Sequence, residues 1–168
     1  LYAEWNVDFI KADDMLWPYH NTEIEGLSKA IQRANRRMVL SLSPGVDMTT
    51  DRYDHFKQHC ELFRISADFW DRWQDLKDQF KTCHDWSAYT GMGCWADADM
   101  LPLGHIGIRA ERGEDRQSLL THDEQTTLMT LWVMSRSPLM FGGNLPDNDP
   151  FTFGLLTNNE VLKVHQSS

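Results

Sequence analysis

The chain has 168 residues, a formal charge of −9, a hydrophobic fraction of 41% and 11% aromatics. That length can bury a domain-sized core, and the apolar content is too high for disorder. The acidic balance excludes a phosphate-backbone binder, which needs a basic face. No run of about 18 apolar residues is present to cross a bilayer, so neither nucleic acid nor a membrane is an expected partner. Leu1 stands where a Met would start a chain, with no signal-peptide regions after it. The sequence therefore reads as a piece of something longer.

In chain order, Val7 to Ala12 reads as a strand. Asn21 to Arg37 reads as a helix with Ile24, Leu27, Ala30, Ile31 and Ala34 on one face. Thr22 and Glu25 have the spacing of a capping box at its start. Met38 to Leu42 is the next strand, stopped by Pro44-Gly45. Asp51 to Glu61 reads as a helix running into the strand Leu62 to Ser66. Phe69, Trp73, Leu76, Phe80 and Cys83 mark a longer helix, and Gly93-Cys94-Trp95 opens another strand. Asp123 to Ser135 is an apolar helix, followed by Pro138 to Phe141 and the Gly142-Gly143 break. Leu155 to Gln166 reads as a last helix.

Strands alternating with helices imply βαβ units and a parallel sheet. Side chains alternate along a strand. Val7, Phe9, Lys11 and Asp13 therefore share a face, as do Val39, Ser41 and Ser43, and then Leu62, Arg64, Ser66 and Asp68. These faces turn polar and charged toward the C-terminal strand ends, while the opposite faces stay apolar. That pattern suits a barrel interior opening on an active site better than a doubly wound sheet, which is apolar on both faces. No Gly-rich phosphate loop follows any strand.

Asp13 ends its strand two residues after Lys11. The lysine would keep the carboxylate anionic, as a nucleophile requires, or the two form a structural ion pair at the rim. Asp68 follows Arg64 by four residues. It either donates a proton or caps a helix running from Trp70 to Cys83. Arg64 reads as a substrate or orienting group rather than as the tight partner of Asp68. Retaining glycosidases hold two carboxyl groups about 5–5.5 Å apart. Strand ends two apart lie roughly 9–10 Å apart, a gap that converging side chains close.

These residues resemble a known family. Val7-Asp8-Phe9-Ile10-Lys11-Ala12-Asp13 resembles the V-D-[YF]-[LI]-K-x-D segment of family 27 glycoside hydrolases, the melibiases. Phe63-Arg64-Ile65-Ser66-Ala67-Asp68 is similar to its R-x-x-x-D segment, and Gly93-Cys94-Trp95-Ala96-Asp97-Ala98-Asp99-Met100-Leu101 to its G-x-W-x-D-x-D-M-L segment. Ser137-Pro138-Leu139 and Leu155 to Val161 resemble its last strand and following helix. The matches keep the family's order across nearly the whole chain.

The resemblance implies a (β/α)8 barrel of which this chain, a single partial domain over 1–168, covers roughly strands 4 to 8. The earlier strands and a C-terminal β-domain lie outside it. A barrel of about 250 residues spends roughly 31 per unit, so five units fit this length. It also implies hydrolysis, with retention, of a terminal α-linked galactose-type sugar, either an α-galactoside or an α-N-acetylgalactosaminide. Asp13 is then the nucleophile and Asp68 the acid/base. Lys11, Arg64, Ser43, Trp95, Asp97 and Asp99 are the substrate-binding set. No metal or organic cofactor is expected, and the partner is a carbohydrate.

Two departures stand out. Where the family's galactosidases carry a Glu that reads the sugar's 2-hydroxyl, this chain has Ser41-Leu42-Ser43-Pro44-Gly45, so a small Ser43 leaves room at C2. The family's Cys after the nucleophile is Met15, so that disulfide is not expected.

Cys60, Cys83 and Cys94 are odd in number and lack C-x-x-C spacing, which indicates neither a disulfide framework nor a zinc ribbon. The compartment stays open, with secretion or a periplasmic home for the full-length protein as one reading. His55 and His59 lie four apart beside Cys60, a spacing that can bind zinc. No third ligand accompanies them in a motif, and H-E-x-x-H is absent. No G-x-S-x-G elbow supports a serine hydrolase. Most of the seven Trp read as core or interface filler. A non-catalytic sugar-binding module using Trp17, Trp95 and the polar rim, or an inert fragment of the enzyme, are the competing readings.

Overall fold

A computed structural model describes residues 1–16, 18–43 and 49–167; Trp17 and the Pro44-Gly45 strand stop lie outside these. The chain divides into two compact units, 1–68 with 85–97, and 69–84 with 98–168.

The first unit holds a four-stranded parallel sheet. Its strands are β1 (Phe9–Ala12), β2 (Val39–Leu42), β3 (Leu62–Arg64) and β4 (Trp95–Asp97), in the order β1-β2-β3-β4. The order follows the chain without the reversal that marks the switch point of a doubly wound sheet. Between the strands lie α1 (Asn21–Arg33) and α2 (Tyr53–His59). The register sets Lys11 beside Ser41, Ser41 beside Leu62, and Leu62 beside Trp95. One step on, Ala12, Leu42, Phe63 and Ala96 form the opposite, apolar row. Leu40, Leu42, Phe56 and Phe63 are buried there, with the Phe56 and Phe63 rings stacked at 4.6 Å and Trp86 against Phe63 at 5.2 Å. Aromatic contacts of this kind add about 0.5–1.5 kcal/mol each beyond area burial.

The second unit holds most of α3 (Trp73–Trp86), the antiparallel pair β5 (His105–Ile106) and β6 (Arg116–Gln117), and α4 (His122–Ser135), α5 (Pro150–Leu156) and α6 (Asn159–Gln166). Leu76, Leu101, Leu103, Leu128 and Trp132 are fully buried in it. Leu101 and Phe141 form a parallel bridge, two residues beyond the Ser137-Pro138-Leu139 stretch that resembles the family's last strand. Gly143 runs so close to this segment that a Cβ there would lie 2.2 Å from the Leu103 carbonyl oxygen.

Several boundaries differ from the sequence reading, each for a local reason. Helix α1 stops at Arg33, and Asn35 then turns at φ 51°. Its N-cap is His20, with no side-chain cap bond, so Thr22 lies inside the helix and not at a cap position, and Glu25 accepts instead from Lys29 at 2.8 Å. The capping box forms at α4, where Thr121 and Glu124 exchange bonds. The helix expected over Asp51 to Glu61 is a 3-10 turn (Thr50–Arg52) followed by α2. Helix α3 begins at Trp73, so Asp68 does not cap it. The last expected helix is two. Asn158 accepts from the amides of Glu160 and Val161 and starts α6 afresh, while Asp149 caps α5 ahead of Pro150. No helix among the described residues is long and apolar enough to cross a membrane.

Candidate active site

Continuing the parallel register one residue past β1 and β2 sets Asp13, Ser43, Arg64 and Asp97 in a single row. They share the face of Lys11, Ser41 and Trp95. The backbone supports that step, since the Ser43 amide donates to Ala12 O at 2.9 Å and the Ile65 amide to Asp97 O at 3.0 Å. Four strand ends thus present carboxylate, hydroxyl, guanidinium and carboxylate side by side. Ser41, which strand alternation places on this face with Ser43, is fully buried there.

The charges are distributed unevenly. Arg64 is 3% exposed and Asp97 fully buried, whereas Asp13 and Asp68 are exposed. Arg64 Nη1 donates to Ser43 Oγ at 3.3 Å and Nη2 to the Ser66 carbonyl at 3.1 Å. Its Nη2 also lies 3.6 Å from Asp68 Oδ1. The sequence reading has Arg64 as an orienting group rather than as the tight partner of Asp68; the structure sets the two 3.6 Å apart, with Arg64 also bonded to Ser43 and Ser66. The row fixes the guanidinium, and the guanidinium faces the carboxylate.

Lys11 is also aimed differently from the sequence reading. Its Nζ lies 3.5 Å from Asp97 Oδ2, and among the described residues its ion pair is with Asp97 and not with Asp13. The pairing crosses the sheet, which strand parity within β1 could not reveal. Asp14 has φ 59°, so the turn begins immediately after Asp13 and the carboxylate sits on the last extended residue. Asp and Asn tolerate this left-handed conformation better than most residues.

Asp68 lies in an irregular stretch beyond β3 rather than at the strand's end. In the second unit, Asp99 is buried at φ 86°. Its Oδ2 accepts the Phe69 amide at 2.7 Å and its carbonyl accepts Trp132 Nε1 at 2.8 Å. Asp99 therefore pins the residue that follows Asp68 in the chain. Trp95 opens β4, half-buried. Trp86 and Trp132 are core and Trp5 is 63% exposed, so most tryptophans have no place in this row.

All three cysteines are free and buried. Burial and the neighbouring Cys94 thiol push the Cys60 thiol up, the Cys94 hydrogen bond being the larger cause. A second cluster of side chains lies on the helices of the first unit, where Glu25 of α1 meets His55 and His59 of α2. Burial, and then the neighbouring His59, hold His55 below the ordinary imidazole range, against a smaller opposing pull from Glu25.

The sequence profile of the melibiase family described as Alpha galactosidase A matches residues 1–167. The chain is similar to the alpha-galactosidase A of Homo sapiens, at 27% identity over 98% of this chain and 38% of that protein. It is similar to the alpha-N-acetylgalactosaminidase of Gallus gallus, at 26% over 98% of this chain and 40% of that protein. Among solved structures it is similar to a family 27 β-L-arabinopyranosidase from Geobacillus stearothermophilus in complex with arabinose. There the identity is 52% and the TM-score 0.92, over 98% of this chain and 39% of that one. The chain spans about two fifths of the length of the curated relatives it matches.

Proposed function

The chain belongs to the melibiase family, glycoside hydrolase family 27, and from that premise we propose that it carries the two carboxylates of a retaining glycosidase. Its α/β fold with a parallel sheet matches the catalytic structures of that family. In the proposed reading the chain covers roughly strands 4 to 8 of a (β/α)8 barrel, with β1 to β4 as consecutive strands of it. The unreversed strand order supports this assignment.

The observation that carries the reading is the row Asp13, Ser43, Arg64, Asp97 with Asp68 beside Arg64, which supplies two exposed carboxylates from strands two apart. In the first step an Asp13 oxygen attacks the anomeric carbon. The glycosidic bond breaks as the Asp68 carboxylic acid gives its proton to the leaving oxygen. In the second step the Asp68 carboxylate takes a proton from water. The water oxygen attacks the same carbon and Asp13 departs as carboxylate. Two inversions give net retention. Esterified Asp13 no longer carries charge, which favours Asp68 as a base in the second step.

Lys11, held by Asp97, and Arg64, held by Ser43 and Ser66, present cationic donors to sugar hydroxyls. Trp95 offers a ring face to the apolar side of the sugar, and Asp97 an acceptor. Small Ser43 leaves space at C2. Asp99, expected in the sugar-binding set, accepts the amide of Phe69, the residue after Asp68 in the chain.

The sugar is galactose-configured: an α-galactoside or α-N-acetylgalactosaminide. The 52% identity to a β-L-arabinopyranosidase favours a second substrate reading, because β-L-arabinopyranose keeps galactose's ring hydroxyls and lacks only its hydroxymethyl group. The test is hydrolysis of the three corresponding nitrophenyl glycosides by the protein in its complete natural form, with the anomer of the first-formed sugar read by NMR. Retention on at least one is expected. Sugar binding without turnover of any would replace this reading by the non-catalytic carbohydrate-binding one.

A further inference from the structure

We propose that Glu25, His55 and His59 form a binding site for one divalent transition-metal ion of the zinc class, which clips α1 to α2 away from the strand-end row. The three side chains each offer one ligand atom, and these atoms all lie within 4.8 Å of one another. Three donors around a tetrahedral zinc at about 2.0–2.1 Å lie roughly 3.4 Å apart. Small side-chain rotations therefore complete the cluster.

The local structure prepares each ligand. His55 and His59 stand one turn apart on α2, so their rings meet at a centroid distance of 4.4 Å. The Nε2 atom of His55 is buried without a hydrogen-bond partner, 3.8 Å from Glu25 Oε1. Its Nδ1 lies 2.5 Å from the Tyr19 hydroxyl. Metal-bound histidines use their second nitrogen in this way, which fixes the tautomer and turns the other lone pair to the ion. Lys29 holds Glu25 through Oε2 at 2.8 Å and orients the carboxylate.

Chemistry narrows the ion. Two imidazoles and one carboxylate suit zinc, copper(II) or nickel over calcium or magnesium, which take oxygen ligands. Cys60, although next to His59 in sequence, turns its thiol to the Phe56 carbonyl and is not a ligand. The fourth position falls to water. Sequence spacing exposed only the histidine pair, because the third ligand comes from another helix.

The test is titration of the chelator-stripped full chain with cobalt(II), following the visible ligand-field bands, and then with competing zinc. One ion per chain is expected, with a melting temperature that rises with metal concentration. His59→Gln and Glu25→Gln should each weaken binding by at least about tenfold. Tyr19→Phe, which keeps all three ligands, should weaken it by about ten- to a hundredfold. His84→Gln, on an exposed position elsewhere, should leave it unchanged. Equal affinity in the wild type and in folded His59→Gln and Glu25→Gln chains, checked by circular dichroism, would overturn the assignment. So would an ion held equally by a His55→Gln/His59→Gln double variant.

Discussion

The strand-end row of the first unit and the β5–β6 region of the second unit both concentrate charge, yet they arrange it in opposite ways. At the row the cation Arg64 is buried together with Asp97, while the carboxylates of Asp13, in the row, and Asp68, beside it, are exposed. In the second unit the carboxylate Asp71 is 3% exposed and takes three donors: Arg116 Nε at 3.2 Å, Arg116 Nη2 at 2.7 Å and the Leu119 amide at 2.9 Å. Asp71 is consumed by the fold. Asp13 and Asp68 are exposed, and under the proposed function they face the sugar. A carboxylate saturated by protein donors stabilises a loop, whereas one held at a rim by a buried cation can react. Position and burial, more than residue type, separate the two roles.

Substitutions at four positions would break or sharpen that contrast. Asp13→Ala in the complete protein should lower kcat on the order of 10⁴-fold with little change in melting temperature. A similar rate in the variant would end the distinction. Asp71→Ala should do the reverse. It strips a buried partner from Arg116 and should cost about 3–5 kcal/mol in urea denaturation, toward the lower end because Arg116 keeps some solvent contact.

Asp99→Ala should be intermediate. It leaves the buried Phe69 amide without its acceptor, at about 1–3 kcal/mol, and should lower kcat more than it changes KM. Asp99→Asn keeps an acceptor and tolerates the positive φ, so it should restore most of both. If Asn proved no better than Ala, the negative charge itself would be the important feature.

The smallest effect concerns pH. His105 is raised above its ordinary value, first by its hydrogen bond to Asp147 and then by Asp115, and Asp147 is lowered by the same His105. A raised histidine contributes stability that is present in full below about 6.5 and is lost as pH rises through its higher folded value. The lowered Asp147 contributes stability above its ordinary value and loses it as pH falls through the depressed one. The two shifts share the His105–Asp147 contact, which ties β5 to the 3-10 turn Leu145–Asp147, and Asp115 adds to the histidine's shift. Melting temperature should therefore decline from mildly acidic to mildly alkaline pH, and His105→Gln should flatten that slope. An unchanged slope would assign it to other groups.

Much of the row was legible in the sequence. Alternation alone placed Lys11 with Asp13, Ser41 with Ser43, and Arg64 on a shared polar face, because period-two geometry is local. What failed was lateral. The Lys11–Asp97 pair joins the two edge strands of the described sheet, and the Arg64–Asp68 approach depends on an irregular stretch where strand parity no longer applies. Helix ends failed for competing bonds: Glu25 chose Lys29 over a capping box, and Asn158 restarted a helix that hydrophobic spacing had drawn through it. The Thr121–Glu124 box was readable from spacing and was missed. The role of Asp99 was not readable, since its acceptor bond to Phe69 spans distant parts of the sequence.

The central claim is that Asp13 becomes covalently bonded to the sugar. A galactose-configured glycosyl fluoride carrying fluorine at C2 withdraws electron density from the oxocarbenium-like transition state, and its reactive leaving group favours the first step over the second. The glycosyl-enzyme should then accumulate long enough for proteolysis and peptide mass spectrometry. The account predicts a single sugar label, on the peptide carrying Asp13 and localised to that residue. A label on Asp68 or another carboxylate would contradict it, as would an enzyme that turns over the unfluorinated glycoside with inversion and takes up no label.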